Sequence, residues 1–160
     1  MYFADLQPYT WFTSKQSGYT ALAVGWLDSL FPYTIGPTPP AFQERLREHC
    51  ACGVHAPMLG FHECDFCGKS HIFLEYGSKK VMTNNGEIWI LDGNIVYAAP
   101  VMIHHYVTDH NYRPPQVFID AVMRCPLPYE AAYQEIMQSW GETTFDYSRD
   151  YPFICSIRTP

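Results

Sequence analysis

Residues 87–100 read EIWILDGNIVYAAP. Two runs of β-branched and aromatic residues flank Gly93-Asn94, a pair suited to a two-residue hairpin loop, so the stretch predicts two antiparallel strands closed by a tight turn. Working upstream, KKVMT (79–83) and HIFLEY (71–76) have the same strand character and are set off by the turn-forming segments GS and NNG. The four runs together predict a small antiparallel meander. Earlier still, YTALAVGWL (19–27) lies between SG and DS and reads as a further, central strand. The following SLFPYTIGPTPP is rich in proline and reads as an irregular loop.

Helices are expected on both sides of the meander. In TPPAFQERLREHC, Thr38 is placed to cap, Pro39 to take the first helical position, and Phe42, Leu46 and Cys50 recur every four residues on one face. Pro100 opens PVMIHHYVTDH, where Ile103, Val107 and His110 share a face; Asn111 suits a left-handed closing residue, and Pro114-Pro115 forbid continuation. PPQVFIDAVMRC carries a stripe of Val117, Ala121 and Cys125 with Phe118 and Val122 beside it, and LPYEAAYQEIMQSW gives one more helix. The aromatic tail GETTFDYSRDYPFICSIRTP is expected to pack as a strand or an ordered wrap.

A chain of 160 residues fits a single domain, 1–160, and at this size buries roughly 70% of its unfolded surface. Apolar residues make up 48% and aromatic residues 16%, a globular composition that excludes disorder and coiled coil. The longest apolar run, IVYAAPVMI, is about half of what a membrane helix needs. The opening MYFADLQPY lacks a basic start followed by an apolar run, so a cytoplasmic location is expected. Net charge is −6 with scattered basic residues, which disfavours nucleic acid and fits a protein partner. Six cysteines in such a chain are expected to be reduced thiols, buried or metal-ligating, rather than a disulfide framework.

The chemistry concentrates in FHECDFCGKSH (61–71). Cys64 and Cys67 have the C-x2-C spacing that lets two thiolates face one zinc ion, and Gly68 accommodates the tight turn that frees backbone amides for the sulfurs. Two more ligands are needed, and the best candidates are His105 and His110 on the helix after the meander. Five helical steps rotate about 140°, so these imidazoles converge only if the helix loosens at His110. His62 and His71 beside the knuckle, Cys50, Cys52 and His55 before it, and His104 next to His105 are competing ligands.

A closed Cys2His2 set saturates zinc and is structural. With an open position, Glu63 or Glu87 would be the general base of a zinc hydrolase. H-E-x-x-H is absent, and His62-Glu63-Cys64 has the wrong spacing for a nucleoside-type deaminase. A thiol nucleophile built from Cys52 and His55, or from Cys125 with a distant histidine, has no local support, and inert buried cysteine is the ordinary alternative.

The segments MYFADLQPY, ALAVGWLDSLFPYTIG, GFHECDFC, GEIWI and YAAPVMIHHYVTDHNYRPPQVFIDAV resemble an uncharacterised family of small bacterial proteins, a domain of unknown function. The resemblance runs to about residue 123 and leaves the tail from Pro126 unplaced. It implies the ligand set Cys64, Cys67, His105 and His110 over the competing residues, and no activity. The expectation is therefore an α+β domain with a treble-clef-like zinc site pinning the meander to its helices. Its expected role is a non-catalytic protein-interaction module, an immunity or regulatory factor.

Overall fold

A computed structural model describes residues 1–11, 18–56 and 61–142. The chain is α+β, in the order β1 (Thr20–Ala23), α1 (Pro40–Cys52), β2 (Phe73–Tyr76), β3 (Lys79–Met82), β4 (Glu87–Asp92), β5 (Ile95–Pro100), α2 (Ile103–Asp109), α3 (Gln116–Arg124) and α4 (Ala131–Ser139). The aromatic tail expected to pack as a strand or wrap lies, from residue 143 on, outside the described residues, as do residues 12–17 and 57–60.

The β4–β5 hairpin forms as its turn chemistry dictates. Asp92 pairs with Ile95 across a Gly93-Asn94 loop, and Gly93 sits at φ 62, where a side chain would be strained. The four strands from β2 to β5 do not make one meander, however. They divide into a two-stranded β2–β3 hairpin and a three-stranded sheet in the order β1-β5-β4. Asn84 explains the break: its backbone and amide are committed to the neighbouring loops, so the chain between β3 and β4 turns away instead of continuing the ladder.

β1 is shorter than the expected 19–27 and lies at an edge rather than in the centre. It pairs parallel to β5, from Thr20 with Ile95 to Ala23 with Ala98. Its outer edge is covered by the N-terminal segment, through Tyr9 N–H to Ala21 O (2.9 Å) and Ala23 N–H to Gln7 O (2.8 Å), which leaves few unpaired edge groups. The middle strand is β5.

The helix stripes form most of the core. Phe42, Leu46 and Cys50 of α1 are fully buried, as their spacing requires, with Phe42 edge-on to Phe118 of α3. On α3 the buried face is Phe118, Ile119, Ala121 and Val122, followed by Cys125, while Val117 is 48% exposed. The expected stripe was thus rotated by about one position, because Phe118 is the larger anchor and packs on Tyr97 as well. Helix starts also shift. α1 begins at Pro40 with Pro39 as its extended N-cap, and the Thr38 hydroxyl accepts from Gln43 Nε2 (3.0 Å) instead of capping the backbone. Pro100 ends β5 opposite Glu87, so α2 starts three residues later than its proline suggested.

No helix among the described residues is long and apolar enough to cross a membrane.

Candidate metal centre

The C-x2-C segment folds as a tight knuckle. Cys64 N–H donates to Lys69 O (3.0 Å) and Gly68 N–H to Cys64 O (2.7 Å), with Gly68 at φ 69. The backbone N–H groups of Phe66 and Cys67 are directed at the Cys64 sulfur. Such donors stabilise a thiolate, which is the form a metal requires. Burial acts the other way and, in the thiol form, pushes the Cys64 pKa up. The knuckle is tied to the sheet by Asn84, which is 2% exposed: its side chain accepts from Ile72 N–H (2.6 Å) and donates to His62 O (2.6 Å), and its backbone carbonyl accepts from His62 N–H (3.1 Å).

The opposing half comes from α2. His105 lies within the helix and is 4% exposed. His110 is its C-cap, at φ −115 and ψ 8, and Asn111 takes the left-handed conformation at φ 53. The helix therefore ends where its histidines need it to end, and the rotation that would separate two helical residues five apart is undone. Tyr33 O–H donates to His110 O (3.2 Å), and Phe66 packs against the His110 ring at 5.3 Å.

The result is one four-residue cluster. Cys64 Sγ is 3.3 Å from His110 Nε2, Cys67 Sγ is 3.5 Å from His105 Nε2, and the two Nε2 atoms are 3.1 Å apart. All four donor atoms lie within 4.8 Å of one another. An ion held tetrahedrally at about 2.3 Å from sulfur and about 2.0 Å from nitrogen spaces its donors about 3.3 Å for N to N and about 3.5 Å for N to S. The three short spacings match that pattern, so Cys64, Cys67, His105 and His110 are placed to bind a metal ion.

A carboxylate stands behind the site. His105 Nδ1 is 3.1 Å from Asp109 Oδ2, one helical turn on; Asp109 also accepts from the Thr108 hydroxyl (2.8 Å) and Lys69 Nζ (3.5 Å). A proton on Nδ1 donated to Asp109 leaves the Nε2 lone pair for the metal, the outer-shell arrangement common to metal-bound histidine. Burial lowers the His105 pKa against the opposing pull of Asp109, so the ring favours its neutral, metal-binding form. Sequence reading missed Asp109, although its four-residue spacing from His105 on a helix was the available signal.

The competing residues go elsewhere. His62 is exposed, and His71 is exposed with Nδ1 2.9 Å from Ser70 Oγ. Cys50 and Cys52 are buried in α1, and burial raises the Cys50 pKa beyond the usual thiol range. His55 stacks on Trp89 and its Nε2 is 3.0 Å from the Tyr133 hydroxyl; burial holds its pKa at about 4. His104 is pushed down to about 4 by burial and Arg47. Cys125 accepts from Leu91 N–H (3.2 Å), and burial raises its pKa to about 12, a poor setting for a nucleophile. The five cysteines described are all free thiols.

Both carboxylates considered as bases, Glu63 and Glu87, line a separate cavity of about 140 Å³ whose other walls include Trp26, Asn84 and Tyr106, and none of the four clustered residues lines it.

Comparison with curated proteins and with solved structures gives no match. Residues 1–123 match a family described as a domain of unknown function (DUF7919), which contains all four clustered residues. The chain belongs to this family.

Proposed function

We propose that the chain is a non-catalytic protein-interaction module held together by one structural zinc ion on Cys64, Cys67, His105 and His110. The observation that carries this reading is the spacing of the four donor atoms, which fits a saturated tetrahedral ion. Two thiolates and two imidazoles suit zinc better than magnesium or calcium, which take oxygen ligands. The knuckle and α2 belong to distant parts of the chain, so an ion between them joins the β2–β3 hairpin to the helical layer and couples metal binding to folding.

A loop that follows β1 supports the interaction role. Leu30 is 84% exposed, Ile35 69% and Phe31 45%, with Phe31 stacked on Tyr2 at 4.0 Å. Large side chains clustered on an exposed loop favour association with another protein. A zinc hydrolase is the competing reading; it needs an open coordination position beside a carboxylate, and Glu63 and Glu87 instead face a cavity that the metal donors do not line.

Cobalt exchange tests the metal half. Cobalt in the site should give the visible bands of a tetrahedral sulfur-nitrogen ion, unchanged by azide; bands that shift on adding azide would show a replaceable ligand and favour the hydrolase. Affinity capture from the native host, comparing wild type with a Leu30→Ser, Phe31→Ser variant, tests the interaction half. A partner lost in the variant is expected, and equal capture by both proteins would contradict the assigned face.

A further inference from the structure

The cavity behind the metal knuckle has a composition that the structural zinc does not account for. Glu87, 1% exposed, is one of its lining residues, with one carboxylate oxygen accepting from the Tyr9 hydroxyl and the other from Trp89 Nε1 (2.7 Å). Two further carboxylates, Glu63 and Asp65, line it and are exposed; among the described residues its lining includes no lysine or arginine, and Met1 and His62 stand in it beside the carboxylates. Trp11, Trp26 and Tyr106 contribute aromatic walls. Trp26 is fixed in place by stacking on Tyr9 at 5.5 Å and by its Nε1–H bond to Ala98 O (2.9 Å). Among the described residues, no ion pair within 4.0 Å engages Glu63, Asp65 or Glu87.

A buried carboxylate with no cation beside it is costly, and each Glu87 oxygen retains acceptor capacity beyond its one hydrogen bond. Burial accordingly raises the Glu87 pKa, and its two hydrogen bonds only oppose this. Carboxylates converging with aromatic faces are the combination that recognises organic cations, through ion pairing at one end and ring quadrupoles along the sides. The cavity volume of about 140 Å³ is close to that of an engineered cavity of about 150 Å³ that admits benzene. A small ligand or a single side chain therefore fits, and a nucleotide does not.

We propose that this cavity binds an ammonium or guanidinium group on a short alkyl chain, with Glu87 as the buried counter-ion, Glu63 and Asp65 as the exposed charges that draw the cation in, and Trp26 as a fixed wall. The cation can be supplied by a free small amine or by an arginine or lysine side chain of a protein partner. The site stands apart from the zinc reading, because its lining includes none of the four metal donors.

The test is a titration of the zinc-loaded protein, followed by tryptophan fluorescence, with butylammonium, butylguanidinium and the neutral butanol. Both cations should give saturable changes at concentrations at least about tenfold below any effect of butanol, the discrimination expected when a buried charge meets its counter-ion. Glu63→Gln, at an exposed position, should weaken cation binding several-fold. Glu87→Gln should erase the preference for cation over neutral probe, and Glu135→Gln on the exposed face of α4 should change nothing. Zinc content measured on the same samples separates failure of this site from failure of the metal centre. A further arm uses an unstructured peptide with one arginine: binding equal to butylguanidinium identifies a partner side chain, and binding of the small cations alone identifies a free amine. No saturable response to either cation, equal response to butanol, or full binding by Glu63→Gln would overturn the proposal.

Discussion

Replacing Asp109 by asparagine changes the metal centre without touching a donor atom. In the native protein the carboxylate faces His105 Nδ1 at 3.1 Å and is itself held by Thr108 and Lys69. The Asp109→Asn amide would keep the size and one acceptor oxygen but lose the charge that strengthens the His105 N–H bond and raises the basicity of Nε2. Outer-shell changes of this kind lower metal affinity by about 10–100-fold, or about 1.4–2.7 kcal/mol. At a fixed, saturating free zinc concentration that difference appears in full as lost folding stability. For a chain of this size it lowers the melting temperature by about 3–11 °C, at about 2–4 °C per kcal/mol. Competition against a fluorescent zinc indicator measures the affinity, and thermal unfolding in a zinc buffer measures the coupled stability. The paired control is Lys69→Ala, which removes an exposed partner of Asp109 and should cost less than about 1 kcal/mol. Affinity of Asp109→Asn within twofold of wild type, or an equal loss in Lys69→Ala, would refute the role given to the carboxylate.

Leu46→Ala, at a fully buried position of α1, should cost about 2–5 kcal/mol in urea unfolding, from lost transfer energy and a residual cavity. Gly25→Ala should destabilise more than Gly68→Ala. Gly25 sits at φ 73 with an added Cβ 2.7 Å from Ile103 Cδ1 at the start of α2, whereas Gly68, at φ 69, would meet nothing and pay only the left-handed cost of about 1–2 kcal/mol. Acid should destabilise the protein through its buried neutral histidines. His55 has its pKa lowered from 6.5 to about 4, so the unfolded chain takes up that proton first. The stability it contributes is complete above pH 6.5 and is lost as pH falls toward 4, with a slope of up to about 1.4 kcal/mol per pH unit. Denaturant midpoints measured across that window should fall less steeply in His55→Gln than in wild type.

Much of the site was legible because its signals are local. The C-x2-C-G spacing dictates a knuckle, and the proline pair after Asn111 dictates a helix end, which together bring His105 and His110 into range of the thiols. The β4–β5 hairpin and the Phe42-Leu46-Cys50 face of α1 were legible for the same reason. What escaped depends on distant partners. The edge position of β1 is set by its parallel pairing with β5 and by the N-terminal segment crossing its free side. The division of the meander rests on Asn84 bonding to residues on both flanks. Glu87, named from the sequence only as a candidate general base, is a buried acid because Tyr9 from the far end of the chain bonds to it. Periodicity reports which residues share a face and is blind to what is laid over that face.

Zinc X-ray absorption on the purified protein, read beside its metal content, bears most directly on the proposed centre. One zinc per chain is expected, with two sulfur neighbours at about 2.3 Å and two nitrogen neighbours at about 2.0 Å, and with metal content lost in both Cys64→Ser and His105→Ala. Zinc content unchanged by either substitution, or a shell with an oxygen in place of one imidazole, would contradict a closed site on these four residues.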